Sequence, residues 1–436
     1  MAATVVLLNR VLRVRDHPAL ASAAREGDAV VPLFVFDPAI LRTFGAPNRV
    51  AFLLDALADL DRSLERQGAG LVVRRGDAAE EARRVAADVG AATIHASADA
   101  SGTARRREER LDAELHPGVF VVPPGVLAPD GSDHYRVFTP YWNRWREHAT
   151  RTVEEAPTGL RLPDGLDRGR LPSLGELVPG DPSPALPRGG ETAGRERLLA
   201  WGGPSGYGER RDDLAADATS RLSPYLHLGC LSPLELAAQV AGRPDAEPFL
   251  RQLAWRDFAG QLFAANPRLP RENLRAGRHE WNDDPDGLAA WKEGRTGYPL
   301  VDAGMRQLRA EGWMPNRARL VTASFLVKDL GIDWRAGAAH FEALLVDGDL
   351  ASNRVNWQWV AGTGVDPRPE RILNPTRQAQ RFDPDGAYVR RWIPELAGIS
   401  GGAVHEPWKL GLEAPADYPP PLVDHLEAVR RLRGRR

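Results

Sequence analysis

The sequence predicts an α/β protein with an N-terminal Rossmann-like domain, built on a parallel sheet, and a C-terminal all-helical domain. Three observations predict this class. Residues 1–125 alternate short apolar runs with segments of helical periodicity. Residues 126–195 are rich in proline and glycine, which is typical of a connector that crosses the surface. Residues 196–436 show helical apolar spacing almost throughout, without convincing strand alternation.

Five apolar runs in the first region are typical of buried parallel strands, because they are short and rich in β-branched residues. These predicted strands are residues 4–8, 29–36, 71–74, 92–97 and 119–122. Between them, one helix is predicted to begin at Pro18 and another to run from a cap at Asn48 to about Gly68. Strands that alternate with helices predict a sheet covered on both faces. No Gly-x-Gly-x-x-Gly pattern follows the first run, so the usual dinucleotide fingerprint is absent.

The composition predicts a globular protein that does not enter membranes. Hydrophobic residues make up 43% and charged residues 27% of the 436, and no apolar run reaches about 18 residues. The single Cys230 excludes an internal disulfide framework and favours the cytoplasm. The net charge of -2 does not by itself indicate nucleic acid. Almost every cation is arginine, which reflects either GC-rich coding or the suitability of arginine for phosphate forks and aromatic stacking.

The connector contains one predicted helical piece, at residues 141–148, and the region after it holds the first polar constellation. Residues 219–224 combine hydroxyl groups, free backbone N–H groups and an arginine in one turn. Such a turn can cradle a phosphate at the start of a helix. A plain helix cap is an equally good interpretation.

A second constellation lies on a helix predicted from about residue 248 to 265. Gln252, Trp255 and Arg256 have i, i+3 and i+4 spacing, so they share one face. An amide, an indole and a guanidinium together can line a site for a planar ring. Alternatively, the indole packs in the core and the arginine is solvated.

A third constellation pairs two segments that are distant in sequence. Asn316, Arg319 and Leu320 share a helix face, and residues 347–349 read Asp-Gly-Asp before another predicted helix. Asp347 can pair with Arg319, and Asp349 can accept a hydrogen bond from a ring N–H. Asp-Gly-Asp is also a common turn, which is the simpler interpretation of the motif on its own.

Taken together, these segments resemble the photolyase/cryptochrome family, and most closely the class I cyclobutane pyrimidine dimer photolyases. The resemblance is colinear over nearly the whole C-terminal half and looser in the N-terminal half. The matching segments are residues 207 and 211, 219–223, 252–258, 291–299, 312–317, 323–330, 332–335, 347–350 and 357–359.

The resemblance implies that residues 196–436 form a helical domain that binds FAD in a bent form and also binds the DNA lesion. In the family, Asn353 would face N5 of the flavin, and Gln252 would contact the substrate. The residues implied in binding FAD are Tyr207, Thr219, Ser220, Leu222, Ser223, Gln252, Arg256, Asn316, Arg319, Asp347, Asp349 and Asn353. No metal is implied.

The implied reaction is the blue-light-driven splitting of a pyrimidine dimer that has left the duplex. Trp357, Trp334 and Trp281 match the family's electron relay from the flavin to the surface. The residues implied in contacting ultraviolet-damaged DNA are Arg211, Trp255, Asn316, Arg317, Leu320, Trp359 and Arg371. We expect a monomeric bacterial-type protein that is associated with the nucleoid when bound to DNA.

Three departures from the family pattern keep alternatives open. Gln252 stands where dimer photolyases usually have Glu, Leu320 replaces a usual Met, and Asn9 and Val11 alter the first strand. Glutamine occurs at that place in (6-4) photolyases and animal-type cryptochromes, although Asn316 stands where the (6-4) enzymes carry a histidine pair. A signalling cryptochrome usually needs a C-terminal extension, whereas only a short basic tail follows here. A light-independent flavin electron-transfer protein would leave the arginines and pocket tryptophans without a role.

Family members often bind an antenna chromophore, either methenyltetrahydrofolate or a deazaflavin, to which the N-terminal domain contributes. Residues 104–108 resemble a helix near that site. The altered first strand leaves two interpretations of this region, an antenna pocket and a purely structural support.

Overall fold

A computed structural model describes residues 2–275, 280–366, 368–369 and 371–434. Its N-terminal region is a five-stranded, all-parallel sheet with strand order β3-β2-β1-β4-β5. The central strand and one of its neighbours, β1 and β2, are buried along their whole length, as expected for a parallel sheet covered on both faces. The strands are β1 (Ala3–Leu8), β2 (Ala29–Phe36), β3 (Val72–Arg75), β4 (Ala91–Ser97) and β5 (Glu114–His116).

Helices cover the sheet on both faces and continue into the connector. The helix predicted at Pro18 is present, with that proline in its first turn. The helices of this region are α1 (Pro18–Glu26), α2 (Pro38–Phe44), α3 (Pro47–Arg66), α4 (Ala78–Asp88), α5 (Gly102–Leu111), α6 (Phe138–Glu147), α7 (Leu174–Leu177) and α8 (Glu191–Trp201).

Asn48 does not cap α3, contrary to the prediction. The cap residue is Ala46, and Asn48 is buried within the first turn of the helix. Its Nδ2 donates to Ser183 Oγ at 2.9 Å, and its Oδ1 accepts from the Ser183 backbone N–H at 2.7 Å. The amide therefore fixes the connector against α3 and does not terminate the helix.

The prediction of a strand at residues 119–122 was wrong, because the fifth strand lies earlier, at β5. Val119, Val121 and Val122 are buried, which explains their apolar character. The N–H groups of Val121 and Val122 donate to Asp257 Oδ2 at 3.1 and 2.9 Å. A carboxylate of the helical region thus takes the place of a neighbouring strand.

The region after α8 is helical, as predicted. A π-helix at Phe325–Asp329 continues α15, and three 3₁₀ segments lie between α19 and α20. None of the helices in the described part of the chain is long and apolar enough to cross a membrane. The helices are α9 (Tyr207–Arg210), α10 (Ser223–His227), α11 (Pro233–Val240), α12 (Ala246–Ala265), α13 (Pro285–Glu293), α14 (Pro299–Glu311), α15 (Asn316–Ser324), α16 (Trp334–Leu344), α17 (Leu350–Ala361), α18 (Pro375–Phe382), α19 (Ala387–Trp392) and α20 (His425–Gly434).

One apolar core extends across the sheet region, the connector and α12. It includes Val6 of β1, Trp142 of α6 and Phe258 of α12. A second core lies inside the helical region, between α14, α15, α16 and α17. Because the first core joins the sheet region to α12, it fixes the position of α12 relative to the carboxyl end of β1.

Candidate functional site

A cavity of about 410 Å³ opens among α10, α12, α15 and α17, and we call it the central cavity. Two further wall residues, His227 and Trp313, were absent from the sequence prediction of this site. The structure brings together on the cavity wall fourteen of the residues singled out from the sequence. They are Tyr207, Thr219, Ser220, Leu222, Ser223, Gln252, Trp255, Arg256, Asn316, Arg319, Leu320, Asp347, Asp349 and Trp359.

The hydroxyl-rich turn before α10 forms one end of the central cavity. Arg197 holds this turn from behind, donating to the backbone oxygens of Ser220 and Thr219 at 2.8 and 3.0 Å. The Thr219 Oγ1 is buried and has no hydrogen-bond partner in the described part of the chain. Trp313 donates its indole N–H to Ser223 Oγ at 3.2 Å. The turn therefore presents fixed hydroxyl groups to the cavity, one of them unsatisfied.

The predicted pairing of Asp347 with Arg319 is present in the structure. The Arg319 guanidinium donates to Asp347 Oδ2 at 2.8 Å, and its Nε donates to the Met314 backbone oxygen at 2.9 Å. Only 3% of the Asp347 side chain is exposed. Its Oδ1 is buried and has no partner among the described residues. This oxygen can accept a hydrogen bond from a ring N–H of a bound ligand.

Asp349 caps α17 and also forms an ion pair across to the sheet region. Its Oδ1 accepts from the Ser352 backbone N–H at 2.8 Å, and its Oδ2 accepts from Arg10 at 2.9 Å. Burial opposes ionisation, but the neighbouring His227 and Arg10 together hold the pKa of Asp349 well below its usual range. Asp349 is therefore a carboxylate at neutral pH, and it shares Arg10 with Asp99, which lies 3.1 Å from the same guanidinium.

The α12 face carries Gln252, Trp255 and Arg256 to the cavity, as their spacing predicts. The Trp255 ring stacks on Phe138 of α6, with ring centroids 3.7 Å apart and an interplanar angle of 9°. Because Phe138 supports one face of the indole, the ring is held flat beside the cavity. Arg256 donates to the backbone oxygens of Val119 and Leu226, and burial lowers its pKa.

Asn353 lies on α17 but is not among the residues that line the central cavity. Its Nδ2 donates to the Ala338 backbone oxygen at 3.1 Å and to Glu342 Oε1 at 2.9 Å. Both partners are acceptors, so the amide nitrogen must face them and the amide oxygen is directed elsewhere. In this structure the neighbouring Asn356 lines the cavity.

Two of the three tryptophans predicted to form the electron relay are packed where α16 meets α17. Trp334 is fully buried and its indole N–H donates to Asn273 Oδ1 at 3.0 Å, whereas the buried Trp357 N–H has no partner among the described residues. A Cβ at Gly337, one turn after Trp334, would overlap the Trp357 ring. Glycine at this position therefore allows the two indoles to approach closely. Trp281 is partly buried against the same core.

The arginines predicted to contact DNA differ in their surroundings. Arg371 is exposed, and its guanidinium lies 4.9 Å from the centre of the Trp359 ring at the cavity wall. Arg317 is paired with Asp212 at 2.7 Å and lies over the Phe382 ring. Arg211 follows α9 and is half-buried, close to Tyr207. Arg371 is thus the one directly associated with an aromatic wall of the cavity.

A second cavity, of about 240 Å³, lies between the carboxyl ends of β1 and β2 and the start of α17. Its walls are mainly apolar and include Phe34, Phe36 and Phe120. Three buried polar atoms on residues of this wall, Asn9 Oδ1, Arg107 Nε and His227 Nδ1, have no hydrogen-bond partner in the described part of the chain. We call this the second cavity.

The two cavities share a wall made of His227, Arg256 and Asp349. Gly229, with φ of +65°, lies against the Arg10 backbone, where a side chain could not fit. Sequence reasoning missed Arg10 and His227 because their partners are hundreds of positions away. The one local signal in the sequence was Gly229, two residues after His227, because a glycine can mark a place where another backbone segment approaches closely.

Comparison with known proteins agrees with this architecture. Residues 4–160 match the DNA photolyase family model, and residues 249–435 match the model described as the FAD binding domain of DNA photolyase. A deoxyribodipyrimidine photo-lyase of Streptomyces griseus is 51% identical over 99% of this chain and 98% of that protein. A solved Synechocystis cryptochrome is 30% identical with a TM-score of 0.92, covering 100% of this chain and 99% of that one. A Sulfolobus tokodaii photolyase solved with two FAD molecules is 30% identical with a TM-score of 0.87, each chain being 99% covered.

Proposed function

Since the chain belongs to the DNA photolyase family, we propose that it repairs cyclobutane pyrimidine dimers in ultraviolet-damaged DNA with blue light, as a carbon–carbon lyase that uses FAD. The observation that carries this proposal is the composition of the central cavity. Polar atoms that have no partner among the described residues lie on the wall of one cavity, together with the indoles of Trp255 and Trp359. A binding protein for flavin alone would not need the aromatic surfaces and the adjacent arginine.

The central cavity has polar groups at two places that suit a flavin nucleotide, namely the hydroxyl-rich turn before α10 and the Asp347 carboxylate. We infer that Thr219, Ser220 and Ser223 bind the phosphates and ribityl chain, and that Asp347 accepts from the flavin ring edge through its free Oδ1. Reduced FAD, when bound, supplies the light-excited electron that splits the dimer. Arg319 donates to the other oxygen of Asp347 and so fixes the orientation of the side chain, which leaves Oδ1 as the acceptor for the ring.

The lesion binds against Trp255 and Trp359 in this proposal. A base stacked on an aromatic side chain gains about 1–3 kcal/mol, and any base has a ring face to offer. The Phe138 stack keeps Trp255 in one orientation, so little side-chain entropy is lost when the dimer enters. Arg371 lies over Trp359 and can reach a flanking phosphate, which positions the strand and does not select its sequence.

Trp357, Trp334 and Trp281 are proposed to conduct electrons from the surface towards the cavity. Trp357 belongs to α17, the same helix that contributes Trp359 to the cavity wall. Gly337 brings the Trp357 ring against α16, which begins at Trp334. The buried indole N–H of Trp357 has no acceptor among the described residues, so none of them can take its proton when the ring is oxidised.

Repair is tested with chemically reduced protein and a thymine-dimer oligonucleotide under blue light. A dark sample and a (6-4) oligonucleotide are the controls. We expect light-dependent recovery of thymine absorbance with the cyclobutane lesion alone. Repair of only the (6-4) lesion would contradict the substrate assignment. Bound FAD that photoreduces but repairs neither lesion would favour a cryptochrome-type signalling protein, the alternative raised by the Synechocystis structure.

We also propose that the second cavity holds an antenna chromophore of the deazaflavin or flavin type. Its aromatic, mainly apolar walls suit a flat tricyclic ring, and Asn9 Oδ1 and Arg107 Nε provide an acceptor and a donor at the wall. The Sulfolobus tokodaii relative, solved with two FAD molecules, is consistent with a second flavin-like group. Reconstitution with deazaflavin should raise repair at wavelengths where reduced flavin absorbs weakly. Stimulation by methenyltetrahydrofolate alone would contradict the proposed chromophore class.

The domain boundaries, the location in the cell and the oligomeric state remain predictions. We predict domain boundaries at residues 125 and 195, although the first apolar core includes residues from both sides of those positions. We also predict a cytoplasmic location, with nucleoid association on DNA, and a monomeric state. Sedimentation of the purified protein with and without lesion-containing DNA tests the last of these.

A further inference from the structure

Two histidines and a glutamate converge at the edge of the sheet, away from both cavities proposed to hold chromophores. His95 belongs to β4, and Glu114 and His116 belong to β5. His95 is in register with Glu114, and His116 is two residues further along the same strand, so all three side chains project from one face. The parallel pairing of the two strands therefore assembles the cluster.

The donor atoms of the cluster lie at distances suited to a shared ion. His95 Nδ1 is 3.0 Å from His116 Nε2 and 3.9 Å from a Glu114 oxygen, and His116 Nε2 is 3.6 Å from the other Glu114 oxygen. Zinc–nitrogen and zinc–oxygen bonds of about 2.0–2.2 Å in a tetrahedron place donor atoms about 3.3 Å apart. The observed separations lie on either side of that value.

A second carboxylate lies beside the other ring nitrogen of His95. His95 Nε2 is 3.1 Å from Glu26 Oε2 at the end of α1, an ion-pair distance without the alignment of a hydrogen bond, and Ser22 Oγ donates to Glu26 Oε1 at 2.9 Å. A small rotation of the Glu26 carboxylate would let it accept from Nε2, which would leave Nδ1 as the lone-pair donor that faces the cluster. This arrangement of carboxylate, histidine and metal is the one that supports metal-binding histidines in proteins.

The surroundings of the cluster favour a positive ion. The His95 side chain is fully buried, so its ring is fixed in place beside His116. Glu26 and Glu114 supply two negative charges, whereas the nearby Arg25 is paired with Glu154 at 3.3 Å.

We propose that His95, His116 and Glu114 bind a divalent ion of the zinc type, with Glu26 as a positioning residue and a water at the fourth position. Imidazole ligands select zinc and its neighbours over magnesium or calcium. The ion would link β5, an edge strand of three residues, to the buried strand β4. The segment that follows β5 passes Gly118, whose oxygen accepts from Arg13 at 3.0 Å, and reaches Asp257 of α12. The site is thus structural, and it fixes the start of the segment that joins the sheet to the helices.

The test is zinc titration of the flavin-loaded protein after dialysis against a chelator. Calorimetry and elemental analysis should show one zinc ion per chain, and zinc should raise the midpoint of thermal unfolding. His116→Gln should abolish binding, and Glu26→Gln should weaken it about 10–100-fold without changing the zinc-free unfolding midpoint. Dimer repair should be unchanged in both variants, because neither residue lies in the central cavity.

Glu109→Gln is the matched control, since it removes an exposed carboxylate from the adjacent α5 and should leave zinc binding intact. If His116→Gln does not fold, Glu114→Gln removes a ligand whose side chain is 53% exposed. X-ray absorption at the zinc edge should show scattering from two imidazoles. Absence of binding would mean that the two rings only share a proton, and binding that survives both ligand variants would place the ion elsewhere. Either result overturns the proposal.

Discussion

The central cavity and the second cavity differ in the chemistry of their walls, although three residues belong to both. The central cavity combines indole rings with polar atoms that have no partner among the described residues, and an ion pair orients Asp347. The second cavity is lined mainly by aliphatic and aromatic side chains, with the polar atoms of Asn9 and Arg107 at its wall. A reacting cofactor needs groups placed at particular atoms, whereas an antenna needs a rigid slot with few polar contacts. The predictions below test whether the two cavities can be disabled separately.

The largest effect on a reaction rate is expected for Trp357→Phe. A phenylalanine ring fills the space beside Gly337 but is much harder to oxidise than indole. Light-driven reduction of oxidised flavin should fall by about 100-fold or more, corresponding to about 3 kcal/mol. Repair by chemically reduced protein should remain. Absorbance during illumination measures the first and oligonucleotide repair the second; loss of both would refute the relay assignment.

Asp347→Asn should weaken FAD binding in the central cavity without affecting chromophore binding in the second cavity. The substitution leaves Arg319 half-buried without its carboxylate, and breaking such a pair costs about 3–5 kcal/mol. We expect FAD to be lost on gel filtration while a reconstituted antenna chromophore is retained. Asp212→Asn, which removes the partner of Arg317 outside the flavin-binding end, is the control. Loss of both chromophores would show that the cavities depend on each other.

Trp255→Ala should weaken lesion binding without releasing FAD. If the indole stacks on the dimer, the loss is about 1–3 kcal/mol, or about 5- to 150-fold in affinity. Titration of a lesion-containing oligonucleotide by fluorescence anisotropy measures it. Trp392→Ala, which removes an indole outside the central cavity, should have no effect on binding. Equal affinities for wild type and Trp255→Ala would assign the ring a structural role only.

Ala104→Phe tests the second cavity alone. Ala104 is buried on α5 and lines this cavity, so a larger ring fills the slot at a cost of about 1–3 kcal/mol in stability. Antenna binding should disappear, and repair excited directly through the flavin should be retained. The action spectrum distinguishes the two contributions. An antenna band that persists would move the chromophore out of the second cavity.

The smallest effect is expected for Gln252→Glu. A carboxyl group that is buried under the bound dimer and therefore stays protonated donates a stronger hydrogen bond to a dimer carbonyl than an amide does. One improved hydrogen bond is worth about 0.5–1.5 kcal/mol, so the repair yield should rise by about 2- to 10-fold. Single-flash repair yield with reduced protein is the measurement. A lower yield would show that the glutamine is adapted to a different lesion.

The sequence alone predicted those parts of the fold that depend on residues close together in the chain. Four of the five apolar runs in the first region correspond to strands, and the face of α12 follows from its spacing. Residues 119–122 were assigned wrongly because burial against Asp257 produces the same apolar run as burial in a sheet.

The shared wall of the cavities was beyond sequence reasoning because its contacts are not local. Arg10 reaches Asp349 over 339 positions and the His227 backbone over 217. Asn353 shows a different limit, since its position was found but its bonds to Glu342 and Ala338 depend on how α16 packs against α17.

The ion pair between Arg10 and Asp349 has a consequence for how the protein is made. The sheet of residues 3–116 can form early on the ribosome, because domains fold from the N-terminus as they emerge. The ion pair of Arg10 with Asp349 can form only after most of the chain has been translated. Both chromophore sites are completed only at that stage. Ribosome-bound chains that end before residue 349 should therefore hold neither chromophore, and cofactor loading is a late, nearly post-translational event.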